Sequence, residues 1–393
     1  MSGKFPIRNP QSAIRNPIRI LQAVGAMNRA GVETWLMHVL RNVDRDRVSI
    51  DFLVHTEEAG AYEDEILSLG SKVIRCRGAA NPLAFRRNFD RAIREHGPYD
   101  IIHSHVHHFS GLLLRLAEGA GIPARIVQSH CDTTFRQSDA GLLRRAYLGA
   151  SRRWINRYAT LGLAVSRDSA RDLFGPEWES DPRWRIFRLG FDFSPFRADV
   201  NREAVRAELG IPPNAFVVGH IGRFEEQKNH GFLMQVANEL IRLEPRAYVL
   251  LVGDGRLRPM VERSLLEMGI ADRVLLLGSR PDVPRLMLGA MDVLTLPSLF
   301  EGLPVVLIEA QAAGLPCVIS DVIPDEGDVV GSLIQRLPLS RVASDWTQAL
   351  LSAGRSAKPV KQPEALRLME KSPFDIKASL AELEGIYEGV MHG

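Results

Sequence analysis

Short apolar runs alternate with amphipathic segments along most of the chain, an arrangement typical of parallel sheets covered by helices. In the first half we predict helices over Val32–Val43 and Phe85–His96, and strands at Ile18–Val24, Ser49–His55, Lys72–Cys76, Asp100–His105, Arg125–Ser129 and Leu161–Val165. The second half repeats the architecture without repeating the sequence, with predicted strands at Phe216–Ile221, Ala247–Val252, Val274–Leu277 and around Leu294. The pattern therefore predicts an α/β protein with two doubly wound sheets, whose ligand sites lie at the carboxyl ends of the strands.

The length also favours two domains, because 393 residues exceed what one ordinary core supports. Residues 175–199 show only weak periodicity, and we place the domain boundary within this segment. The first residues carry no apolar segment or cleavage site of a secretory signal. The predicted divisions are a disordered extension at 1–16, a first domain at 17–190, a second domain at 191–372, and a C-terminal helix at 373–393 that packs back on the first domain.

The composition, 45% hydrophobic and 24% charged, is typical of a soluble globular protein. A formal net charge of +2 gives no reason to expect a nucleic-acid partner, so any basic patch must be local. The cysteines Cys76, Cys131 and Cys317 are scattered without metal-type spacing, which indicates a reducing cytoplasm. Cys131 follows His130, but neighbours on a strand end point apart, which disfavours a thiol nucleophile. No apolar run reaches the roughly 18 residues of a membrane span.

The stretch Leu294–Ile319, LTLPSLFEGLPVVLIEAQAAGLPCVI, is the strongest candidate for a ligand site. Its pattern predicts a buried strand, a Pro/Ser/Gly loop, a helix over Pro304–Ala313 and a second strand. Glu301 lies in the loop, and Glu309 lies in an otherwise apolar helix, where a carboxylate is costly unless something binds it. The helix N-terminus adds unpaired N–H groups that favour an anion. Two acids and a helix end therefore predict a binding crevice; a Glu309 that bridges core backbone beside a solvated Glu301 is the alternative.

The loop GRFEEQKNHG, which follows a predicted strand, is a second candidate. It places Gly222 next to Arg223, with Lys228 five residues further on. An arginine fork and a lysine point charge at a strand end suit a diphosphate, although the glutamates between them also fit an ordinary solvated loop. Two more glycine loops, Gly25–Gly31 and Gly253–Gly255, follow strands, and we expect them to border the same cleft.

These motifs resemble a known family. The E-x7-E pattern with GLP between the acids, the GRFxxQKN loop and VGDGxLR at Val252–Arg258 resemble the retaining glycosyltransferases of family 4, whose GT-B fold has two facing Rossmann-like domains with a cleft between them. The chain is most similar to the exopolysaccharide-synthesis branch, through AMNRAGVET, DFLVHT at Asp51–Thr56, HSH at His103–His105 and EGLPVVLIEAQAAGLPCVISD. The resemblance extends from about residue 18 to about residue 325.

The resemblance implies a role for each matching residue. Arg223 and Lys228 would hold the donor diphosphate and stabilise the departing nucleotide, while Glu301 would bind the transferred sugar and Glu309 the ribose hydroxyls. His130, in QSHCD, matches a position near the reacting centre. The implied catalytic residues are His130, Arg223, Lys228 and Glu301. The implied donor-binding residues are Gly222, Arg223, Lys228, Gly253, Asp254, Gly255, Glu301, Gly302, Leu303, Pro304, Val305 and Glu309. The implied acceptor-side residues are Gly25, Arg29, Gly31, His105 and His130.

The implied reaction is the transfer of a hexose-type sugar, with retention and without a metal or other cofactor. The donor would be a UDP- or GDP-sugar, and the acceptor a glycan or lipid-linked sugar of exopolysaccharide or cell-surface polysaccharide synthesis. Physical reasoning agrees: if the departing phosphate oxygen accepts the acceptor's proton, the protein needs only to position two substrates and stabilise charge.

Three other functions remain open from the residues alone. A nucleotide-sugar 2-epimerase could use the same architecture without an acceptor. A metal-dependent hydrolase could use the cluster His103, His105, His107 and His108, because alternate residues at a strand end share a face. A non-catalytic protein would bind the sugar nucleotide without turnover.

The predicted helix Leu142–Tyr158 carries five arginines interleaved with Leu, Tyr and Trp. A basic, aromatic, amphipathic helix can lie on an anionic membrane surface, and that would suit a lipid-linked acceptor. Its apolar face can equally pack on the first sheet, with the arginines solvated. We therefore expect a cytoplasmic protein, with peripheral contact at the inner face of the plasma membrane as the alternative.

Overall fold

The computed structural model describes residues 17–79, 81–130, 141–356 and 359–392. Within these residues the first sheet has seven parallel strands in the spatial order 3-2-1-4-5-6-7. In chain order they are β1 (Ile18–Val24), β2 (Val48–Val54), β3 (Val73–Arg75), β4 (Ile101–Ser104), β5 (Ala124–Ser129), β6 (Leu161–Ala164) and β7 (Trp184–Ile186). The helices between them are α1 (Gly31–Asn42), α2 (Glu63–Ser68), α3 (Pro82–His96), α4 (Ser110–Gly119), α5 (Leu142–Tyr158) and α6 (Arg167–Phe174).

The second sheet has six parallel strands over the described part of the chain, in the spatial order 10-9-8-11-12-13. They are β8 (Phe216–Ile221), β9 (Ala247–Val252), β10 (Val274–Gly278), β11 (Val293–Leu296), β12 (Cys317–Ser320) and β13 (Ile334–Leu337). The helices of this half are α7 (Arg202–Glu208), α8 (His230–Leu243), α9 (Arg258–Glu267), α10 (Val283–Gly289), α11 (Val305–Ala312), α12 (Ala343–Arg355), α13 (Gln362–Glu370) and α14 (Ile376–His392). The predicted α/β class with two Rossmann-like sheets is therefore confirmed.

Each sheet reverses its strand order once, between β1 and β4 in the first and between β8 and β11 in the second. Such a switch point opens a crevice at the carboxyl ends of the two central strands, because the following loops diverge to opposite faces. The loops after β1 and β4 therefore form one crevice, and those after β8 and β11 form the other. These are the loops that carry most of the predicted site residues.

Burial of apolar side chains joins the two sheets. The largest buried cluster includes Trp35 of α1, Phe191 after β7, Leu307 of α11 and Tyr387 of α14, so it runs through both halves of the molecule. Helix α1 contributes Trp35, Leu36, Met37, Val39 and Leu40 to the core, as its amphipathic pattern predicts.

The last helix lies against the first sheet. The chain crosses between the sheets near Phe191, whose N–H donates to Phe374 O (2.8 Å), while Ile376 N donates to Phe191 O (3.0 Å). Gly190 allows this contact, because a Cβ there would lie 2.4 Å from Ser379 Cβ. From this junction α14 reaches Arg47, which pairs with Glu384 at 2.9 Å. The limits predicted for the domains and for the extension stay a prediction; residues 1–16 lie outside the described residues.

Candidate functional site

The two switch-point crevices face each other. Gly31, at the start of α1, lies close to the start of α11, and a Cβ built on it would be 3.3 Å from Val305 Cγ2. Arg223 lies beyond β8 in the other half, and its positive charge partly offsets the rise that burial causes in the pKa of Glu33 of α1. Two residues of the first half thus border the loops of the second, and the predicted inter-sheet cleft is present at this point.

Lys228 and Glu301 form the centre of the second crevice. Lys228 Nζ lies 2.5 Å from Glu301 Oε1, and both side chains are largely buried. Gln227 Nε2 donates to Glu301 Oε2 and to Phe300 O, both at 3.0 Å. The left-handed backbone of Asn229 (φ 53°) turns the chain into α8 directly after the lysine, a conformation that asparagine tolerates. The ion pair fixes one carboxylate and one ammonium at the carboxyl end of the sheet.

Glycines allow the loops of this crevice to approach closely. A Cβ on Gly253 (φ 135°) would lie 2.0 Å from Gly222 O, and one on Gly255 (φ 158°) would lie 2.6 Å from Phe224 O. A Cβ on Gly222 itself would be 3.0 Å from Lys228 Cε. Since a Cβ at Gly253 or Gly255 would clash with backbone atoms, these two glycines allow the loop after β9 to lie directly against the loop after β8. Asp254, between the two glycines, is exposed and pairs with Arg258 (3.2 Å).

Arg223 is exposed, and no described side chain pairs with its guanidinium. Its charge acts on Glu33, whose pKa is raised by burial and lowered in part by a backbone hydrogen bond and by Arg223. An exposed guanidinium in a cleft that no described side chain pairs with is available to an incoming anion. The sequence analysis did not single out Glu33; its position two residues after Gly31, in the first turn of α1, is the only local signal.

Helix α11 begins at Val305, one residue later than predicted. Pro304 is extended (ψ 108°) and precedes the helix, accepting a hydrogen bond from Leu307 N (2.9 Å). Its side chains Val306, Leu307, Ile308, Ala310, Gln311 and Ala312 are buried, as expected from the apolar pattern. Gly302 and Leu303 are also buried and lead into the first turn. The first turn of the helix has N–H groups without an intrahelical partner, and it follows the loop after β11.

Glu309 is a partly buried carboxyl without a hydrogen-bond or ion-pair partner among the described residues. Burial raises its pKa to about 7. The alternative in which Glu309 bridges core backbone is therefore not what the structure contains. An ionised carboxyl kept desolvated in an apolar helix is costly, and a ligand that supplies hydrogen-bond donors would offset this cost.

The other crevice contains a chain of hydrogen bonds that includes two predicted acceptor-side histidines. His105 Nδ1 lies 2.8 Å from His130 Nε2, and His105 Nε2 lies 2.8 Å from Gln22 Oε1. Gln22 Nε2 donates to Tyr387 OH (3.0 Å), which also lies 3.0 Å from His103 Nδ1. Burial lowers the pKa of His130 and of His103 to about 3, so both rings are neutral at physiological pH. The sequence analysis missed Gln22 and Tyr387.

The predicted sharing of one face by the histidines holds only for His103 and His105, whose ring centroids are 4.3 Å apart. The strand ends at Ser104, and His107 further along has a left-handed backbone (φ 49°) and lies 3.2 Å from Asp172. His107, His108 and Asp172 have ligand atoms within 4.8 Å of one another, and they are the one such group in the described part of the chain. The histidines are thus divided between two separate groups, which does not favour the hydrolase alternative.

Gly25 and Arg29 lie in the exposed loop after β1. Gly25 O accepts a hydrogen bond from His55 N (3.0 Å), and the Arg29 guanidinium lies 5.9 Å from the centre of the Tyr62 ring. In the described structure, neither residue forms a hydrogen bond or ion pair with Lys228 or Glu301. Cys131, beside His130, lies outside the described residues.

Helix α5 presents exposed apolar side chains at its N-terminus. Leu142 is 84% exposed and Leu143 is 90% exposed, while Ser151 and Ile155 are buried against the first half. Over the described ranges, no helix has the length and apolar character needed to cross a bilayer.

Comparison with known proteins identifies the two halves. The family described as "Glycosyl transferase 4-like domain" matches residues 30–186, and the family described as "Glycosyl transferases group 1" matches residues 215–351. The putative glycosyltransferase EpsF of Bacillus subtilis (strain 168) is 35% identical over 94% of this chain and 96% of its own length. A galactosyltransferase of Escherichia coli, named as acting from UDP-Gal on α-D-GlcNAc-diphosphoundecaprenol, is 31% identical over 57% of this chain and 58% of its own length.

Solved structures show the same fold. Anabaena Alr3699/HepE in complex with UDP and glucose has a TM-score of 0.78 and 19% identity, covering 95% of this chain and 100% of that one. WaaG, a glycosyltransferase involved in lipopolysaccharide biosynthesis, has a TM-score of 0.71 and 16% identity over 94% of this chain and 100% of that one. The GT-B fold predicted from the motifs is therefore confirmed. With both halves matched and a relative similar along nearly the whole length, the chain belongs to glycosyltransferase family 4, in the exopolysaccharide-synthesis branch.

Proposed function

We propose that this glycosyltransferase moves a hexose-type sugar from a UDP- or GDP-sugar to a glycan or lipid-linked acceptor, with retention of configuration and without a metal. The observation that carries the proposal is the composition of the second crevice. Lys228 and Glu301 are paired at 2.5 Å, Arg223 projects without a described partner, and Glu309 is a desolvated carboxyl with none. Cations suit a diphosphate, and carboxylates suit sugar hydroxyls.

Each predicted donor contact has a physical basis in this crevice. Lys228 would exchange part of its ion pair with Glu301 for the diphosphate, leaving Glu301 free to accept hydrogen bonds from the transferred sugar. Arg223 would move from the neighbourhood of Glu33 to the phosphates. Glu309 would accept both ribose hydroxyls. The N–H groups around Leu303–Val305 would complete the phosphate site, because the first turn of a helix favours anions.

The same charges support the proposal of metal independence. In this proposal Arg223 and Lys228 supply the two positive charges that stabilise the leaving nucleoside diphosphate, the part that a divalent cation plays elsewhere. His130, Arg223, Lys228 and Glu301 are the residues to which we assign catalysis. The acceptor would enter past Gly25, Arg29, Gly31, His105 and His130, and its hydroxyl proton would pass to the departing phosphate oxygen on the same face of the sugar.

The acceptor class rests on relatives. The E. coli relative is named for a diphosphoundecaprenol-linked acceptor, and CapH of Staphylococcus aureus, a capsular polysaccharide biosynthesis glycosyltransferase, is 22% identical over 94% of this chain. We propose a polysaccharide role on the cytoplasmic side of the plasma membrane. The exposed Leu142 and Leu143 beside the arginines of α5 fit peripheral contact with an anionic bilayer.

A thermal-shift screen against nucleoside diphosphates and their sugars, each with and without chelator, tests the donor. We expect UDP or GDP to raise the melting temperature equally in both conditions. Lys228→Ala and Glu309→Ala should each abolish the rise, whereas Arg242→Ala, which removes an exposed charge paired with Glu239, should leave it unchanged. A rise that requires a divalent cation would contradict metal independence.

The stereochemical outcome needs its own measurement. With the identified donor and a lipid-linked or oligosaccharide acceptor, the anomeric coupling constant of the product by NMR reports retention or inversion. We expect the product to keep the donor's α-configuration. Release of a 2-epimerised sugar nucleotide in the absence of acceptor would instead establish the isomerase alternative.

A further inference from the structure

A buried chain of hydrogen bonds connects the C-terminal helix to His130. It runs from His103 through Tyr387, Gln22 and His105 to His130, with every distance between 2.8 and 3.0 Å. Gln22, His103 and Tyr387 are essentially inaccessible to solvent. Tyr387 lies 365 residues from Gln22 along the chain, so only the return of α14 to the first sheet places its hydroxyl here.

The donor and acceptor at each step follow from the Gln22 amide. Its Oε1 faces His105 Nε2, so that nitrogen carries the hydrogen of the neutral ring. His105 Nδ1 is then an acceptor, and His130 Nε2–H must donate to it. At the other end, Gln22 Nε2 donates to the Tyr387 hydroxyl, whose own hydrogen goes to His103 Nδ1.

This sequence of bonds determines which atom His130 offers to a ligand. Since Nε2 carries the hydrogen, Nδ1 holds a lone pair, and it is buried without a partner among the described residues. Burial lowers the pKa of His105 well below its usual value and that of His130 to about 3, so neither ring gains a second proton. Burial also raises the pKa of the Tyr387 hydroxyl, which therefore keeps its hydrogen. Trp35 packs on both the His105 and His130 rings, with centroids 5.8 and 6.1 Å away, which limits their rotation.

The chain of bonds also has a reversed form. If the Gln22 amide turned over, every donor would become an acceptor, and His130 would present Nδ1–H instead of a lone pair. The bond between the amide and the Tyr387 hydroxyl couples Gln22 to His103, so a reversal has to change the tautomers of His103, His105 and His130 together. Without the phenol oxygen, one end of the amide has no partner, and the amide can turn over without any change at His103.

We propose that Tyr387 is a positioning residue that holds the Gln22 amide and thereby keeps His130 in the tautomer whose Nδ1 accepts a hydrogen bond. The site then receives a donor group, such as a sugar hydroxyl, at that nitrogen. The effect on turnover rests on the proposed function; the effect on the tautomer does not. The C-terminal helix therefore takes part in the chemistry of the cleft without touching a substrate.

The test uses the full-length protein labelled with ¹⁵N in the histidine rings, without substrate. Two-bond nitrogen–proton correlation spectra distinguish the two imidazole tautomers, and a His130→Asn variant assigns the His130 signals. We expect a single Nε2–H form of His130 in the wild-type protein and a mixture of both forms in Tyr387→Phe. Tyr99→Phe is the matched control, because it removes another buried phenol hydroxyl, one that donates to Asp51 (2.8 Å).

A second variant guards against a folding defect. Gln22→Met breaks the same chain of bonds at its middle with little change in volume, and it should produce the same mixture. Once a donor is identified, both variants should lower kcat by roughly tenfold with a nearly constant KM for the donor, as expected when a catalytic ring loses its support. An unchanged His130 pattern in both variants, or a wild-type protein with hydrogen on Nδ1, would overturn the proposal. If both variants show altered His130 tautomers but the wild-type protein transfers no sugar, the tautomer proposal is supported and the proposed function is refuted.

Discussion

Replacing Glu309 by glutamine should stabilise the free protein while it removes the affinity for a nucleotide donor. The carboxyl lies in an apolar helix, has no partner among the described residues, and burial raises its pKa from 4.5 to about 7. Glutamine has nearly the same shape and no charge. The substitution therefore removes the desolvation cost of an ionised group, and it replaces one of the two acceptor oxygens that the ribose hydroxyls need by an N–H donor.

The magnitude depends on pH in a defined direction. A carboxyl with a raised pKa in the folded protein favours folding below its unfolded pKa of 4.5, and this contribution is lost as the pH rises through about 7. At pH 8 Glu309 is ionised in both the folded and the unfolded protein, and its burial lowers the free energy of unfolding by up to about 3 kcal/mol. This figure is an upper bound because the group is partly exposed to the cleft. At pH 5 Glu309 is still protonated in most of the folded protein, and the loss in the free energy of unfolding falls below about 1 kcal/mol.

Thermal denaturation of wild type and Glu309→Gln at pH 5 and pH 8 measures this difference. For a domain of about half this chain's length, a gain of about 3 kcal/mol in the free energy of unfolding corresponds to an increase in melting temperature of roughly 6–12 °C at pH 8. Glu262→Gln, on the exposed surface of α9, is the control, and it should show no pH-dependent gain. The reasoning is refuted if Glu309→Gln is no more stable than wild type at pH 8, or if its gain is the same at both pH values.

Two further predictions follow from the same structure. Since the ionised carboxyl of Glu309 can accept from both ribose hydroxyls, and protonation turns one of its oxygens into a donor, the affinity for a UDP- or GDP-sugar should fall by up to about tenfold from pH 8 to pH 6. Calorimetric titration checks this with the intact sugar nucleotide, whose phosphates do not titrate in that range; constant affinity would mean that Glu309 does not bind the ribose. Gly190→Ala should destabilise the protein by about 1–3 kcal/mol in urea, because its Cβ would lie 2.4 Å from Ser379 Cβ. Gly385→Ala, where a Cβ meets nothing within 4 Å, should be neutral or slightly stabilising, and equal effects of the two would contradict the predicted clash.

The central features of the second crevice could be predicted because local chemistry determines them. Seven residues separate Glu301 from Glu309, and Pro304 lies between them, so the first acid must precede the helix and the second must lie within it. The apolar runs of the central strands were equally clear, because strands buried on both faces are nearly continuous in hydrophobicity. The start of α11 was wrong by one residue, since Pro304 adopts an extended conformation before the helix.

The remaining features depend on contacts between distant parts of the chain. Strands β7 and β13 have three and four residues and lie at sheet edges, where a short mixed pattern gives little periodicity. In the sequence, Tyr387 has the pattern of an ordinary core aromatic residue in an amphipathic helix. Only the return of α14 to the first sheet brings it to Gln22. Likewise, no local pattern indicates that Glu33 of α1 lies near Arg223. Long-range packing, rather than spacing along the sequence, assembles these parts of the site.

The polypeptide passes between the two sheets twice, and the two passages lie side by side. Hydrogen bonds from Phe191 N to Phe374 O and from Ile376 N to Phe191 O join the segment that leaves the first sheet to the segment that returns to it. A single connecting strand would permit twisting, sliding and separation, whereas a bonded pair leaves chiefly one angular degree of freedom about its own axis. Opening of the cleft should therefore be a one-dimensional motion, in which both walls keep their register each time they meet.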